Sequence, residues 1–167
     1  MDLRLTKIVL VASLALLGTL VAANNLTDYH SNFMFVQHVM SMDTTFEGNA
    51  LMWRAITATP LHHAAYLLII ACEASFGILC WIGTFQMWRQ RTGSTRDFTA
   101  AKRFATAGIL IGILVWFVGF SVIGAEWFLM WQSPQWNGQE AAFRLVVVLY
   151  ATLIFLHLPG TDESLGS

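Results

Sequence analysis

Charged side chains are scarce in this sequence. They make up 11% of the 167 residues, whereas hydrophobic side chains make up 56%. Soluble domains carry roughly a quarter charged residues, so this composition predicts an integral membrane protein. The nine basic residues nearly balance the ten acidic ones, which gives no reason to expect nucleic-acid binding.

Cysteine is scarce as well. Cys72 and Cys80 lie in one apolar run, and their separation of about 12 Å along a helix is too long for a disulfide. Because no cysteine lies in a loop, a surface redox motif of paired thiols is excluded. We expect both to be small packing residues.

Long hydrophobic runs are abundant, and the sequence contains four of them. A helix needs about 20 residues to cross a bilayer core. The middle two runs are long enough, the fourth is barely so, and the first must also use Leu3 and Leu5. We therefore predict an all-α polytopic membrane protein, a single domain over 1–167, with spans at 8–23, 61–88, 104–131 and 141–158.

The first run has a second interpretation. Arg4 and Lys7 precede a short apolar stretch that ends in Val21, Ala22 and Ala23, and this pattern also fits a cleavable signal peptide. Cleavage would leave three spans and remove a neighbour of the short fourth span. This packing argument favours retention of the first helix.

The distribution of Lys and Arg predicts the orientation. Cytoplasmic loops of membrane proteins are enriched in basic residues. We therefore expect a bacterial cytoplasmic (inner) membrane protein whose N- and C-termini, loop 89–103 and tail 159–167 are cytoplasmic. Segment 24–60 and link 132–140 would face outward. The seven cytoplasmic basic residues would be Arg4, Lys7, Arg89, Arg91, Arg96, Lys102 and Arg103.

The outer segment 24–60 is too long for a simple turn and rich in apolar residues. Tyr29, Phe33, Val36 and Met40 recur at helical spacing, which predicts a helix over 27–42 in or near the interface. Thr44, followed three residues later by Glu47, matches a capping box and predicts a second short helix that extends to Ile56.

Histidine and methionine suggest one possible chemistry for this segment. Imidazole and thioether together suit copper, and imidazole alone suits zinc or haem iron. The competing interpretation is that these are ordinary interfacial, hydrogen-bonded residues. The candidate metal donors are His30, Met34, His38, His62 and His63.

Glu73 falls near the middle of its span, about 18 Å below the outer end. A charged carboxylate costs about 3 kcal/mol there, so it should be protonated, paired or in a wet cavity. Ser13, Ser121 and Thr152 reach a similar depth on the other helices. This polar layer would be either a proton-accepting or ligand-binding site, or a set of interhelical hydrogen bonds.

Two further patterns concern helix packing. Glu126 and Arg144 flank the short link between the third and fourth spans, which predicts a structural ion pair. Gly108 and Gly112 form a small-xxx-small step that permits close helix contact.

Several segments together resemble a family of predicted small bacterial integral membrane proteins of unknown function. The resemblance lies in 24–29, 32–33, 35–43 and 53–56, with His62 and Glu73, and it covers nearly the whole chain. It implies about four helices and a functional emphasis on the outer segment.

Our first hypothesis is a non-enzymatic membrane protein that has no catalytic residue. Its outer segment would contact a partner subunit, another copy or a small ligand, with the lipid bilayer around it. The alternatives are a redox subunit associated with haem, copper or quinone, and an oligomeric transporter or channel that uses Glu73. The candidate ligand- or partner-binding residues are Asp28, Tyr29, Asn32, His38, Asp43, Arg54, His62 and Glu73.

Overall fold

The computed structural model describes residues 3–159. Four of its helical segments are long and apolar enough to cross a membrane, which confirms the all-α prediction of four candidate spans. In chain order the helices are α1 (Leu3–Thr27), α2 (Tyr29–Ser41), α3 (Thr59–Arg89), α4 (Thr95–Ala101), α5 (Arg103–Ile113) and α6 (Gln139–His157). The third span joins α4 and α5 to a π-helical continuation, Leu114–Trp127.

Large apolar side chains cover the outside of the four spans. Leu68, Ile78 and Phe85 on α3 and Ile154 on α6 are more than half exposed. Soluble monomers rarely expose apolar surface continuously along whole helices. These faces therefore suit contact with lipid acyl chains.

Glycines bring α1 and α3 together. A Cβ atom added at Gly18 would lie 2.7 Å from the Cα atom of Gly77, so no larger residue fits between the two backbones. Close approach of this kind is typical of packed membrane helices. One turn further, Trp81 Nε1 donates a hydrogen bond to Thr19 Oγ1 at 3.0 Å. These contacts set the rotation of α1 against α3.

The predicted small-residue contact on the third span is confirmed. A Cβ atom at Gly108 would lie 2.9 Å from Cys80 Sγ, and one at Gly83 would lie 2.5 Å from the Ala105 nitrogen. Cys80 is completely buried there, and neither it nor Cys72 forms a disulfide. Both of these α3–α5 contacts depend on small side chains.

The bundle has two distinct ends. At the one we call the basic end, loop 90–94 and α4 join α3 to α5, and Arg4 donates hydrogen bonds to the carbonyls of Arg91 and Gly93. At the other, the capped end, α2 and residues 42–58 pack with the link 128–138. The tail predicted for 159–167 lies, apart from Pro159, outside the described residues.

Several predicted boundaries need correction. The third span ends at Trp127 rather than at 131, because Leu129 adopts a left-handed conformation with φ 54° and turns the chain. The second outer helix does not form: only Met52–Arg54 makes a 3₁₀ turn, and Gly48 has a positive φ of 75°. In a capping box, Thr44 Oγ1 would accept a hydrogen bond from a backbone N–H of its own helix. Here it bonds instead to Ser133 Oγ at 2.8 Å.

Candidate functional site

A break between α1 and α2 brings two asparagines together. Asp28 interrupts the helix with φ −119° and ψ 57°, and its backbone N–H still bonds to the Asn24 carbonyl at 2.8 Å. Across this break Asn32 Nδ2 donates to Asn25 Oδ1 at 2.6 Å. The break thus connects a polar side chain of α2 to one of α1.

Asn25 also reaches the buried acid of α3. Its Nδ2 donates to Glu73 Oε2 at 2.6 Å, and Glu73 is only 3% exposed. The Tyr66 hydroxyl donates to the backbone carbonyl of Asn25 at 3.3 Å, which holds the end of α1 beside α3. Asn32, Asn25 and Glu73 therefore form a continuous hydrogen-bonded series, here called the Glu73 chain.

The Glu73 chain has a direction. Each asparagine donates towards the carboxyl group, because the side-chain amide nitrogen can only donate hydrogen bonds. Asn32 Oδ1 and Glu73 Oε1 accept no hydrogen bond within residues 3–159. Asn32 is exposed, whereas Asn25 and Glu73 are buried. The exposed end of the chain therefore offers an acceptor to a molecule at the surface.

Aromatic rings close one side of this site. His63 stacks on Phe33 with ring centroids 4.1 Å apart, and its Nδ1 bonds to the Tyr29 hydroxyl at 2.8 Å. Tyr29 also packs against Tyr66 at 4.7 Å. The rings fix the first half of α2 against α3, so Asn32 is held by packing as well as by its hydrogen bond.

A second polar group lies further along α2. His38 Nδ1 pairs with Asp43 Oδ2 at 2.8 Å, and the imidazole stacks on Trp136 with centroids 4.6 Å apart. Asp43 follows directly after Met42, whose left-handed conformation ends α2. This group connects α2 to the link 128–138 and leaves the carboxylate of Asp43 half exposed.

Arg54 occupies a third position at the capped end. Its guanidinium carbon lies 5.4 Å from the Trp53 ring centre and 4.7 Å from that of Trp127. Nη1 contacts the carbonyls of Glu126 and Trp127 at 3.4 Å. Arg54 thus joins the outer segment to the end of the third span and has no carboxylate partner among the described residues.

The predicted metal donors are not gathered at one point. His62 Nε2 contacts the Ile56 carbonyl at 2.7 Å, while His63 and His38 have the separate partners given above. His30 is exposed and Met34 half-buried on α2. Within the described chain no group of three or more His, Cys, Asp or Glu residues is placed to hold a metal ion. The i+4 spacing along α2 spreads these side chains around the helix.

The predicted midplane layer does not surround Glu73. Ser13 Oγ bonds to the Val9 carbonyl and Ser121 Oγ to that of Trp116, so each hydroxyl is satisfied on its own helix. Thr152 is buried in α6 and forms no hydrogen bond with Glu73. The hydrogen-bond partner of Glu73 is Asn25. Asn25 was not among the site residues predicted from the sequence. An asparagine at the end of an apolar run could have indicated it.

The predicted ion pair between Glu126 and Arg144 does not form in the described part of the chain either. Arg144 pairs instead with Glu140, one turn earlier on α6. Both of those side chains are more than 70% exposed, so this pair contributes little to stability. An i, i+4 neighbour on the same helix is simply closer than a residue across the link.

Four long apolar helices whose outer faces are also apolar define a polytopic integral membrane protein. The chain belongs to the family described as predicted small integral membrane protein (DUF2165), whose model matches residues 3–159. No curated protein and no solved structure matches it significantly. The family resemblance seen in the sequence is confirmed, and the family description assigns no activity.

Proposed function

We propose that this is a non-enzymatic membrane protein whose capped end binds a partner subunit or a small ligand through hydrogen-bond donors of that molecule. The Glu73 chain carries the proposal. A buried acid costs free energy unless it is hydrogen-bonded. The one hydrogen bond that the Glu73 carboxyl group accepts within residues 3–159 leads through Asn25 to the exposed residue Asn32, whose Oδ1 remains an open acceptor. A donor arriving at Asn32 would extend and polarise the same series.

The charges around the site favour a ligand that is also positive. Asp28 is exposed beside Asn32, and its carboxylate is bonded by Ser31 Oγ at 2.8 Å. Of the two basic residues at the capped end, Arg144 pairs with Glu140 and Arg54 packs between tryptophans. An amine or guanidinium group would therefore meet little local repulsion.

Binding at the capped end is better supported than transport through one chain. Beyond Glu73 the buried face of α3 continues with Phe76, Cys80 and Met87, all completely buried. Cys80 and Met87 offer only weak hydrogen-bonding groups and Phe76 offers none, so these side chains are poorly suited to carry an ion or a proton onward. The Glu73 chain thus fits a site that opens on one side only.

A comparison of two exposed asparagines tests this function. Asn32→Ala removes the exposed end of the Glu73 chain and leaves the Asn25–Glu73 bond intact. Asn24→Ala is the matched control, because Asn24 is exposed nearby and its side chain forms no hydrogen bond within residues 3–159. Each variant is purified from native membranes in mild detergent, and bound proteins and small molecules are quantified by mass spectrometry.

We expect a component that is enriched with wild type and with Asn24→Ala but lost with Asn32→Ala. Glu73→Gln keeps the hydrogen bond from Asn25 and removes the ionisable group, so it should retain the component in a smaller amount. The same component should be displaced by a soluble amine if its contact is cationic. Identical sets of bound components for all four proteins would contradict the proposed function.

We also propose that the protein lies in a bacterial inner membrane with its capped end outside and both termini in the cytoplasm. The support is the concentration of seven of the nine basic residues at the basic end. The test uses single cysteines at the exposed positions Ala50 and Thr92, in a chain whose native cysteines are replaced. In spheroplasts, a membrane-impermeant maleimide should label the cysteine at residue 50 and not the one at residue 92. Labelling of residue 92 alone would refute the orientation.

A further inference from the structure

A cavity of about 890 Å³ lies at the basic end, away from the Glu73 chain. Its walls are the last turn of α3 with Arg89, the first loop residue Gln90, the end of α4 with Thr99, the start of α5 with Arg103, and the end of α6. Small-molecule sites usually measure about 300–1,000 Å³. The cavity is thus large enough for a polar headgroup or a small organic anion.

Positive charge dominates the lining. Arg89, Lys102 and Arg103 contribute three cationic groups, and Asp97 is the only acid among the lining residues. The Asp97 carboxylate already accepts a hydrogen bond from Ser94 Oγ at 2.6 Å, at the N-terminal cap of α4. Arg89 and Arg103 alone therefore outnumber the one acid among the lining residues.

The two arginines of the lining lie against aromatic rings. The Arg89 guanidinium lies 5.7 Å from the Phe85 ring centre, and that of Arg103 lies 4.7 Å from the Phe104 ring centre. Neither group pairs with a carboxylate in the described part of the chain. Both residues are exposed, so their hydrogen-bond donors can reach a bound anion.

We infer that this cavity is a binding site for a phosphate ester, with Arg89 and Arg103 as its principal ligand-binding residues. Guanidinium groups bind phosphate oxygens through paired N–H donors, which gives geometric selectivity as well as charge complementarity. Gln90 and Thr99 add neutral side-chain hydrogen-bonding groups. Basic pockets between membrane helices bind anionic lipid headgroups in this way.

The phosphate ester can reach the cavity from two sources. One is the headgroup of an anionic phospholipid in the surrounding bilayer, and the other is a soluble phosphate ester. The same groups of the protein would recognise the phosphate in either case. Binding measurements with a lipid and with a soluble phosphate ester therefore distinguish the two sources. The location at the end of the spans, beside exposed Trp88 and Phe85, suits the lipid headgroup region.

The experiment compares two double variants of the full-length protein. Arg89→Gln with Arg103→Gln removes two cations from the cavity. Arg91→Gln with Arg96→Gln removes two cations from exposed positions outside the lining. Each protein is titrated in neutral detergent with short-chain phosphatidylglycerol, phosphatidylcholine and glycerol phosphate, and binding is measured by native mass spectrometry.

We expect wild type to bind phosphatidylglycerol more tightly than phosphatidylcholine. Each cavity arginine should contribute about fivefold in affinity, so the cavity variant should bind phosphatidylglycerol about 25-fold more weakly. The control variant should stay within about twofold of wild type. Glycerol phosphate binding with the same dependence on the cavity arginines would support the inference and identify the soluble source.

Two results would overturn the inference. One is the absence of any preference for phosphatidylglycerol or glycerol phosphate over phosphatidylcholine in wild type. The other is an equal loss of binding in both double variants, which would show that net charge rather than the cavity attracts the anion. Circular dichroism of each variant in the same detergent confirms that the helices are intact.

Discussion

Asn25→Ala should destabilise the protein more than any other single change in the Glu73 chain. The substitution removes the donor that satisfies Glu73 Oε2 at 2.6 Å and leaves a 3% exposed carboxyl group without a partner. Losing a hydrogen bond to a charged group costs about 1.5–3 kcal/mol. The bond from Tyr66 survives, because it ends on the backbone carbonyl of residue 25.

Glu73→Gln should behave differently. The glutamine side-chain oxygen still accepts a hydrogen bond from Asn25, and the buried group can no longer ionise. We expect the free energy of unfolding to change by less than about 1 kcal/mol, since the weaker neutral hydrogen bond is offset by the smaller cost of burial. Combining it with Asn25→Ala should be less harmful than Asn25→Ala alone, because the unpartnered group is then an uncharged amide.

Thermal unfolding in one detergent measures these differences. It compares wild type, Asn25→Ala, Glu73→Gln and the double variant. For a chain of this size, 1 kcal/mol shifts the midpoint by roughly 2–4 °C, so Asn25→Ala should lower it by about 3–12 °C. Asn24→Ala provides the matched exposed control. An Asn25→Ala midpoint within about 1 °C of this control would show that the bond does not stabilise Glu73, and an additive double variant would show that the two residues are uncoupled.

Three other substitutions test the packing, and a fourth, Gly119→Ala, is the control for the first. Gly18→Ala would place a methyl group 2.7 Å from the α3 backbone and should lower the free energy of unfolding by about 1–3 kcal/mol. In the control, Gly119→Ala, the new methyl group would lie 3.8 Å from the Leu114 carbonyl oxygen, so this variant should melt like wild type. Arg54→Gln loses two cation–π contacts and should cost about 1–2 kcal/mol, while an unchanged midpoint would assign the arginine no structural role. Ser133→Ala breaks the bonds from Thr44 and from the Trp136 backbone and should cost about 1–2 kcal/mol, measurable as faster proteolysis of the link.

Much of the fold was predictable because a bilayer imposes simple requirements on sequence. Runs of apolar residues showed the four spans, since a helix satisfies its own backbone hydrogen bonds in lipid. The periodic apolar residues predicted a helix over 27–42, and α2 forms there with slightly shorter bounds, Tyr29–Ser41. The outer segment beyond α2 was harder to predict, because the turn at Gly48 and the contact from Thr44 to Ser133 involve residues far apart in the chain.

The site residues show what sequence by itself determined. Glu73 was identified because a carboxyl group in the middle of an apolar span must be satisfied in some way. The spacing of residues along the chain could not identify the hydrogen-bond partner of Glu73. We expected serine or threonine hydroxyls at a similar depth, but the side chain that bonds to Glu73 is that of Asn25. Depth along a helix follows from counting residues, whereas the direction of a side chain depends on how the helix is rotated against its neighbours.

That rotation is decided by tertiary contacts. The approach of Gly18 to Gly77 sets how α1 faces α3, and the break at Asp28 then directs Asn32 back towards Asn25. Helix rotation likewise separates the histidines that their spacing had grouped. The sequence alone therefore determined which segments lie in the membrane and that Glu73 needs a partner, while the tertiary structure decided which side chains meet, because only packed backbones bring distant residues within hydrogen-bonding distance.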